Sequence, residues 1–146
     1  MKPINEMSMV FRSRSVNERF SRMAVACFAA QLDPTLDELN DIKTAVSEAV
    51  TNCIVHAYPN TIGKIALKGR IFSNGKLELT ITDSGVGISD IEKAREPLFT
   101  TGGSDRSGMG FTIMESFMDR LSVKSRAGGG TIIKMIKSVS PRVSGK

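Results

Sequence analysis

Residues 64–87, KIALKGRIFSNGKLELTITDSGVG, decide the architecture. Ile65, Leu67, Gly69 and Ile71 alternate with their neighbours, as a half-buried strand requires. Asn74-Gly75 follows, a strong signal for a tight hairpin because both residues tolerate positive φ. The chain returns with Leu77, Leu79 and Ile81 on one face, and Asp83 takes the next slot of that same face. A tight hairpin demands antiparallel pairing, which argues against a doubly wound parallel sheet.

Upstream, residues 7–11 alternate and predict a first strand. Ser15 and Glu18 have capping-box spacing, and Val16, Phe20, Met23, Ala24, Cys27 and Phe28 follow at helical intervals until Pro34 stops the run. Thr35 and Glu38 form a second capping box. The helix they open carries Leu39, Ile42, Val46, Ala49, Val50, Cys53 and Ala57 on its apolar arc and ends at Pro59-Asn60. Downstream, Ser89 and Glu92 predict a short helix reaching about Arg95, and residues 101–107 read as a loop. Met109, Ile113, Met114, Phe117, Met118 and Leu121 mark another amphipathic helix. A last hairpin pairs residues 121–125 with 131–137 across Gly128, Gly129 and Gly130, and residues 138–146 read as a disordered tail. Helices that cluster between hairpins predict one α+β domain over residues 1–137: a two-layer sandwich, helices on one face of a mixed, mainly antiparallel sheet.

Composition narrows the class. A chain of 146 residues with 40% hydrophobic and 24% charged residues folds without disulfide or metal support. No apolar run approaches the roughly 20 residues that cross a bilayer, and residues 1–14 contain no signal-peptide core, so the cytoplasm is the expected compartment. Cys27 and Cys53 lack metal or redox spacing and sit among apolar residues, so both are expected as buried thiols. The net charge of +5 raises the question of nucleic acid, but the basic residues are scattered and the chain has one Tyr and no Trp. The densest group, Arg12, Arg14, Arg19 and Arg22, suits an acidic protein partner better.

Three short patterns carry chemistry. Glu48, Asn52 and His56, four apart, share one stripe of a helix beside its apolar arc. A carboxamide oxygen there suits a hard cation, and a carboxylate one turn away suits a proton acceptor. Asp83-Ser84-Gly85-Val86-Gly87 puts a carboxylate in a core-facing slot, where an amine such as adenine N6 is a natural partner, and its glycines permit a close backbone approach. Ser107-Gly108-Met109-Gly110 opens a helix, an arrangement that offers free N–H groups to phosphate. Each pattern alone also fits an ordinary helix edge, turn or loop; their order within about sixty residues is what gives them weight.

Together the three patterns resemble the GHKL superfamily of ATP-binding domains, of the Bergerat fold, shared by gyrase, a heat-shock chaperone, a mismatch-repair ATPase and the histidine kinases. The resemblance implies ATP and Mg²⁺ as ligands, with Asn52 on the metal, Asp83 on adenine, and Gly85, Gly87, Ser107, Gly108, Met109 and Gly110 around the nucleotide. It also implies that Thr131 supports adenine, that Thr100 and Thr101 begin a nucleotide lid over residues 102–106, and that Arg106 reaches a terminal phosphate. AVSEAVTNCIVHAY, EPLFTT and RSGMGFTIMESFMD narrow this to a resemblance to the anti-sigma F factors of spore-forming bacteria, from about residue 7 to residue 137. That resemblance implies a homodimeric serine kinase that binds the sporulation sigma factor F and phosphorylates an anti-anti-sigma protein. Glu48 is then the general base, and Arg22 the candidate partner contact. A clamp of the stress-response anti-sigma type, with ATP-dependent sigma binding and little transfer, is the alternative. A detached histidine-kinase catalytic domain is disfavoured, because His56 is the sole histidine and belongs to the nucleotide-site helix.

Overall fold

A computed structural model describes residues 1–88, 90, 91, 95, 110–125 and 127–140. The elements run β1 (Asn5–Arg12), α1 (Val16–Ala29), α2 (Leu36–Asn52), β2 (Lys64–Ile71), β3 (Lys76–Asp83), α3 (Gly110–Phe117), β4 (Arg120–Ser125) and β5 (Thr131–Ser138). A 3₁₀ turn, Ala30–Leu32, extends α1, and a π-helical segment, Cys53–Ala57, extends α2. The five-stranded sheet has the order β1-β2-β3-β5-β4, and all four ladders are antiparallel. The central hairpin forms as expected: Gly75 takes φ 86°, and Asn74 Oδ1 accepts from Lys76 N–H.

One sheet face carries the core. Ile65, Leu67 and Ile71 of β2, Leu77, Leu79 and Ile81 of β3, and Ile133 and Met135 of β5 are buried against α2, whose Ile42, Ala45, Val46, Ala49 and Val50 have no exposed surface. The second capping box is complete, with Thr35 Oγ1 accepting from Glu38 N–H and Glu38 Oε1 from Thr35 N–H. No element among the described residues covers the other sheet face. By strand alternation and register it presents Arg12, Lys64, Lys68, Arg70, Lys76, Lys134, Arg120 and Lys124, against Glu6 and Glu78. Cations scattered along the chain thus gather in space.

Four expectations need correction. Ser15 has helical φ and ψ and makes no side-chain cap; Glu18 instead pairs with Arg22 and accepts from Ser47 Oγ. The buried face of α1 is Ser21, Val25, Phe28 and Ala29, while Val16, Phe20 and Met23 are 71%, 54% and 48% exposed. The buried side mixes small residues with Val25 and Phe28, so bulk alone does not choose the face. Cys27 lies on the outward side and is exposed; only Cys53 is buried. Finally, residues 138–140 are not loose: Ser138 closes β5, Val139 is buried and donates to Gly75 O, and Ser140 N–H donates to Glu38 Oε2. The expected caps at Ser89 and Glu92 and the tail residues 141–146 lie outside the described residues. No helix among the described residues is long and apolar enough to cross a membrane.

Candidate nucleotide site

Asp83 ends β3 on the core-facing side and is 5% exposed. Its carboxylate accepts from Gly85 N–H at Oδ1, 2.9 Å, and from the Cys53 thiol at Oδ2, 3.4 Å. Burial pushes its pKa above the usual carboxylate range, and the bonds from Gly85, Cys53 and the Thr131 backbone pull against that rise. Thr131 is the cross-strand partner of Asp83 on β5 and is itself buried. Its hydroxyl lies 2.7 Å from Ser125 Oγ, which donates to Gly130 O and accepts from Ile88 N–H. The threonine expected near adenine is therefore locked to the strand that carries Asp83.

The turn after Asp83 presses on the end of α2. Val86 N–H donates to Ala57 O at 3.0 Å, and a Cβ on Gly85 would sit 2.2 Å from that same carbonyl oxygen. Only glycine permits this approach. Gly87 takes φ 75°, a conformation that L side chains rarely adopt. Tyr58 closes the other side: its hydroxyl donates to Lys64 O and accepts from Ser84 N–H. Gly85→Ala should push the turn away from α2 and cost about 1–3 kcal/mol of stability. Urea denaturation measures this, and an unchanged midpoint would remove the close approach from the account.

Asn52 is the last α-helical residue of α2, half-buried, with Glu48 half-buried one turn earlier. The π segment widens the next turn, so His56 leaves the α-helical stripe expected for it and belongs instead to the link with Asp83's turn. Gly110 opens α3 beside Glu48, where an ideal Cβ would lie 3.5 Å from Glu48 Oε2. The structure thus joins Glu48 to the start of α3 and, through Cys53, the end of α2 to Asp83. Arg22 stands apart on α1, 3.4 Å from Glu18 Oε2; that carboxylate also accepts from Ser47 Oγ, next to Glu48 in the chain. Thr100, Thr101, Arg106, Ser107, Gly108 and Met109, together with the lid of residues 102–106, lie outside the described residues.

A buried carboxylate with glycines packed at its turn fits an adenine floor. A carboxamide and a carboxylate stand one helical turn apart on α2, and a carboxamide oxygen is of the type that a hard cation takes alongside phosphate. Residues 11–137 match the family described as the histidine kinase-like ATPase domain, and the chain is an ATPase domain of that class. It is 55% identical over 136 residues to an anti-sigma F factor of Caldanaerobacter subterraneus subsp. tengcongensis, covering 92% of this chain and 94% of that one. It is 54% identical over 137 residues to an anti-sigma F factor of Geobacillus kaustophilus, covering 93% and 94%. The chain belongs to the anti-sigma F factor family. The fold also matches part of a structure of the RsbU and RsbW domains of Rv1364c from Mycobacterium tuberculosis, with TM-score 0.68 and 16% identity over 96% of this chain and 34% of that longer one. A mycobacterial sensor histidine kinase, MprB, matches with TM-score 0.58 and 19% identity over 93% of this chain and all of that one.

Proposed function

We propose that this chain is a cytoplasmic, homodimeric anti-sigma factor that binds the sporulation sigma factor F and, as an ATP-dependent serine kinase, phosphorylates its anti-anti-sigma partner. One observation carries the kinase reading: Glu48 lies against Gly110 at the start of α3, while Cys53 of the adjoining π segment bonds Asp83. Five residues of helix separate Glu48 from Cys53, roughly 7–8 Å along the axis. That spacing supports placing Glu48 at the phosphate end of the site and Asp83 at the adenine end. Asn52 falls between them, where its amide oxygen would hold Mg²⁺. The bound metal would offset negative charge on the phosphate oxygens.

Glu48 then accepts the proton of the incoming serine hydroxyl, and Asp83 accepts from adenine N6. Gly85, Gly87 and Thr131 support the adenine end, and Ser107, Gly108, Met109 and Gly110 supply backbone N–H groups to phosphate. Thr100, Thr101 and Arg106 complete the lid. Arg22 is the proposed partner contact, on α1 beside Glu18. The rival clamp needs Asn52 and Asp83 but no base, so Glu48 favours the kinase. Incubation with radiolabelled ATP, Mg²⁺ and the anti-anti-sigma protein should place label on a serine of that protein. No label, with ATP-dependent co-elution of sigma factor retained, would leave the clamp. If Asp83 reads adenine, Asp83→Ala loses a charged hydrogen bond worth about 1.5–3 kcal/mol, and ATP should bind roughly 10- to 150-fold more weakly. Equal affinity by calorimetry would sink the assignment.

A further inference from the structure

We propose that Cys53 is a positioning residue of the nucleotide site: its thiol holds the Asp83 carboxylate in the orientation that receives the adenine amine. The inference deepens the reading of Asp83 as the adenine contact and rests on it. Cys53 is 1% exposed, opens the π segment directly after Asn52, and reaches Asp83 Oδ2 at 3.4 Å. Gly85 N–H reaches the other oxygen, Oδ1. The terminal torsion of an aspartate is soft and roughly two-fold, so a single anchor leaves the carboxylate free to rock. Gly85 and Cys53 donate to opposite oxygens, with the Thr131 backbone as a further donor, and Cys53 supplies the anchor on Oδ2 that fixes the plane.

A thiol suits this task because it is a weak donor. An ionised carboxylate has about four lone-pair positions, and a weak bond to Oδ2 leaves capacity there for a stronger donor from the ligand. Among the described residues, the titratable groups whose charge acts with that of Asp83 are Cys53 and Tyr58; its strand neighbours in register are Ile65 and Thr131. The thiol's bond favours the ionised form of Asp83. Removing it should raise the pKa of Asp83 further, and the acid limb of ATP binding should move to higher pH. The sign follows from acceptance: the ionised carboxylate accepts from N6, so affinity is full above the pKa of Asp83 and lost as pH falls through it.

The test is calorimetry of ATP with Mg²⁺ on the full chain, across pH, for Cys53→Ala and Cys53→Ser beside wild type. Cys53→Ala should bind ATP about three- to tenfold more weakly at neutral pH, with its acid midpoint shifted upward. Cys53→Ser removes a similar volume but keeps a donor, a stronger one, and should recover affinity with its acid midpoint below that of wild type. A serine variant that behaves like the alanine variant would reduce Cys53 to a packing residue and overturn the proposal. So would an alanine variant with wild-type affinity and midpoint, provided Asp83→Ala still loses ATP. If Asp83→Ala binds ATP normally, it is the adenine reading that fails. Should Cys53→Ala not fold, Cys53→Ser decides alone: its stronger hydroxyl donor should lower the acid midpoint below wild type, and an unmoved or raised midpoint would overturn the proposal.

Discussion

Glu48→Gln should leave ATP and sigma-factor binding intact while phosphorylation of the anti-anti-sigma protein falls at least a hundredfold. A serine hydroxyl is a poor nucleophile near neutral pH, and a carboxylate within reach of its proton typically contributes about 10²- to 10⁴-fold. Phosphoryl transfer relies heavily on positioning and on the metal, so the lower part of that range applies. The substitution keeps length and hydrogen-bonding reach and exchanges one good helix former for another. Glu48 is half-buried within α2 and faces the first residue of α3, so the glutamine amide occupies the same space beside Gly110. What disappears is the basic oxygen. Two measurements on one preparation decide the matter: co-elution of sigma factor in the presence of ATP, and label transfer to the partner. Transfer at near wild-type rate would remove Glu48 from the mechanism. Loss of both activities would make it a structural support of the α2–α3 contact.

The strands were legible because their two faces differ. Along β2 and β3 every second residue is buried, and Asp83 falls in that series, so its burial could be read from residue order. The α1 helix was not legible in the same way. It carries apolar residues on two sides, and periodicity alone does not say which side meets α2. The buried side holds Ser21 and Ala29, the outward side Val16, Phe20 and Met23. A reading that ranks residues by hydrophobicity picks Val16, Phe20 and Met23, whereas the buried side combines Val25 and Phe28 with Ser21 and Ala29.

Within the site, Asn52, Asp83 and the glycines were found through local patterns. The contacts that orient them were not, because they join distant segments. Cys53 meets Asp83 across 30 residues, Tyr58 meets Ser84 across 26, and Ser125 meets Ile88 across 37. Tyr58 and Ser125 carry no motif of their own; their hydrogen bonds to Ser84 and Ile88 brace the segment that follows Asp83. The π segment left no signal either, since no proline or glycine interrupts residues 53–57. Its consequence is mechanical: the widened turn ends the α-helical stripe at Asn52 and carries Ala57 O to the turn that follows Asp83.

Asn52→Ala should abolish phosphotransfer and Mg²⁺-dependent ATP binding while leaving the fold intact. Mg²⁺ keeps several waters and binds through one or two protein oxygens together with substrate phosphates, so one protein ligand can couple the whole metal–phosphate unit to the site. The proposed role rests on where Asn52 lies, between the Glu48–Gly110 contact and the Cys53–Asp83 bond. Stability should change little. The side chain is half-buried beside the core residues Ala49, Val50 and Cys53, and alanine is the better helix former by a few tenths of a kcal/mol. A thermal melt by circular dichroism should therefore match wild type to within about 0.5 kcal/mol. Calorimetry with and without EDTA separates metal from base recognition. Wild type should lose affinity when the metal is chelated. The variant should bind weakly in both conditions, through the Asp83 end alone, and EDTA should make no difference. Retained Mg²⁺ sensitivity would show that the cation is held elsewhere, and a cooperative melt lost altogether would mark Asn52 as a structural residue of the α2 terminus.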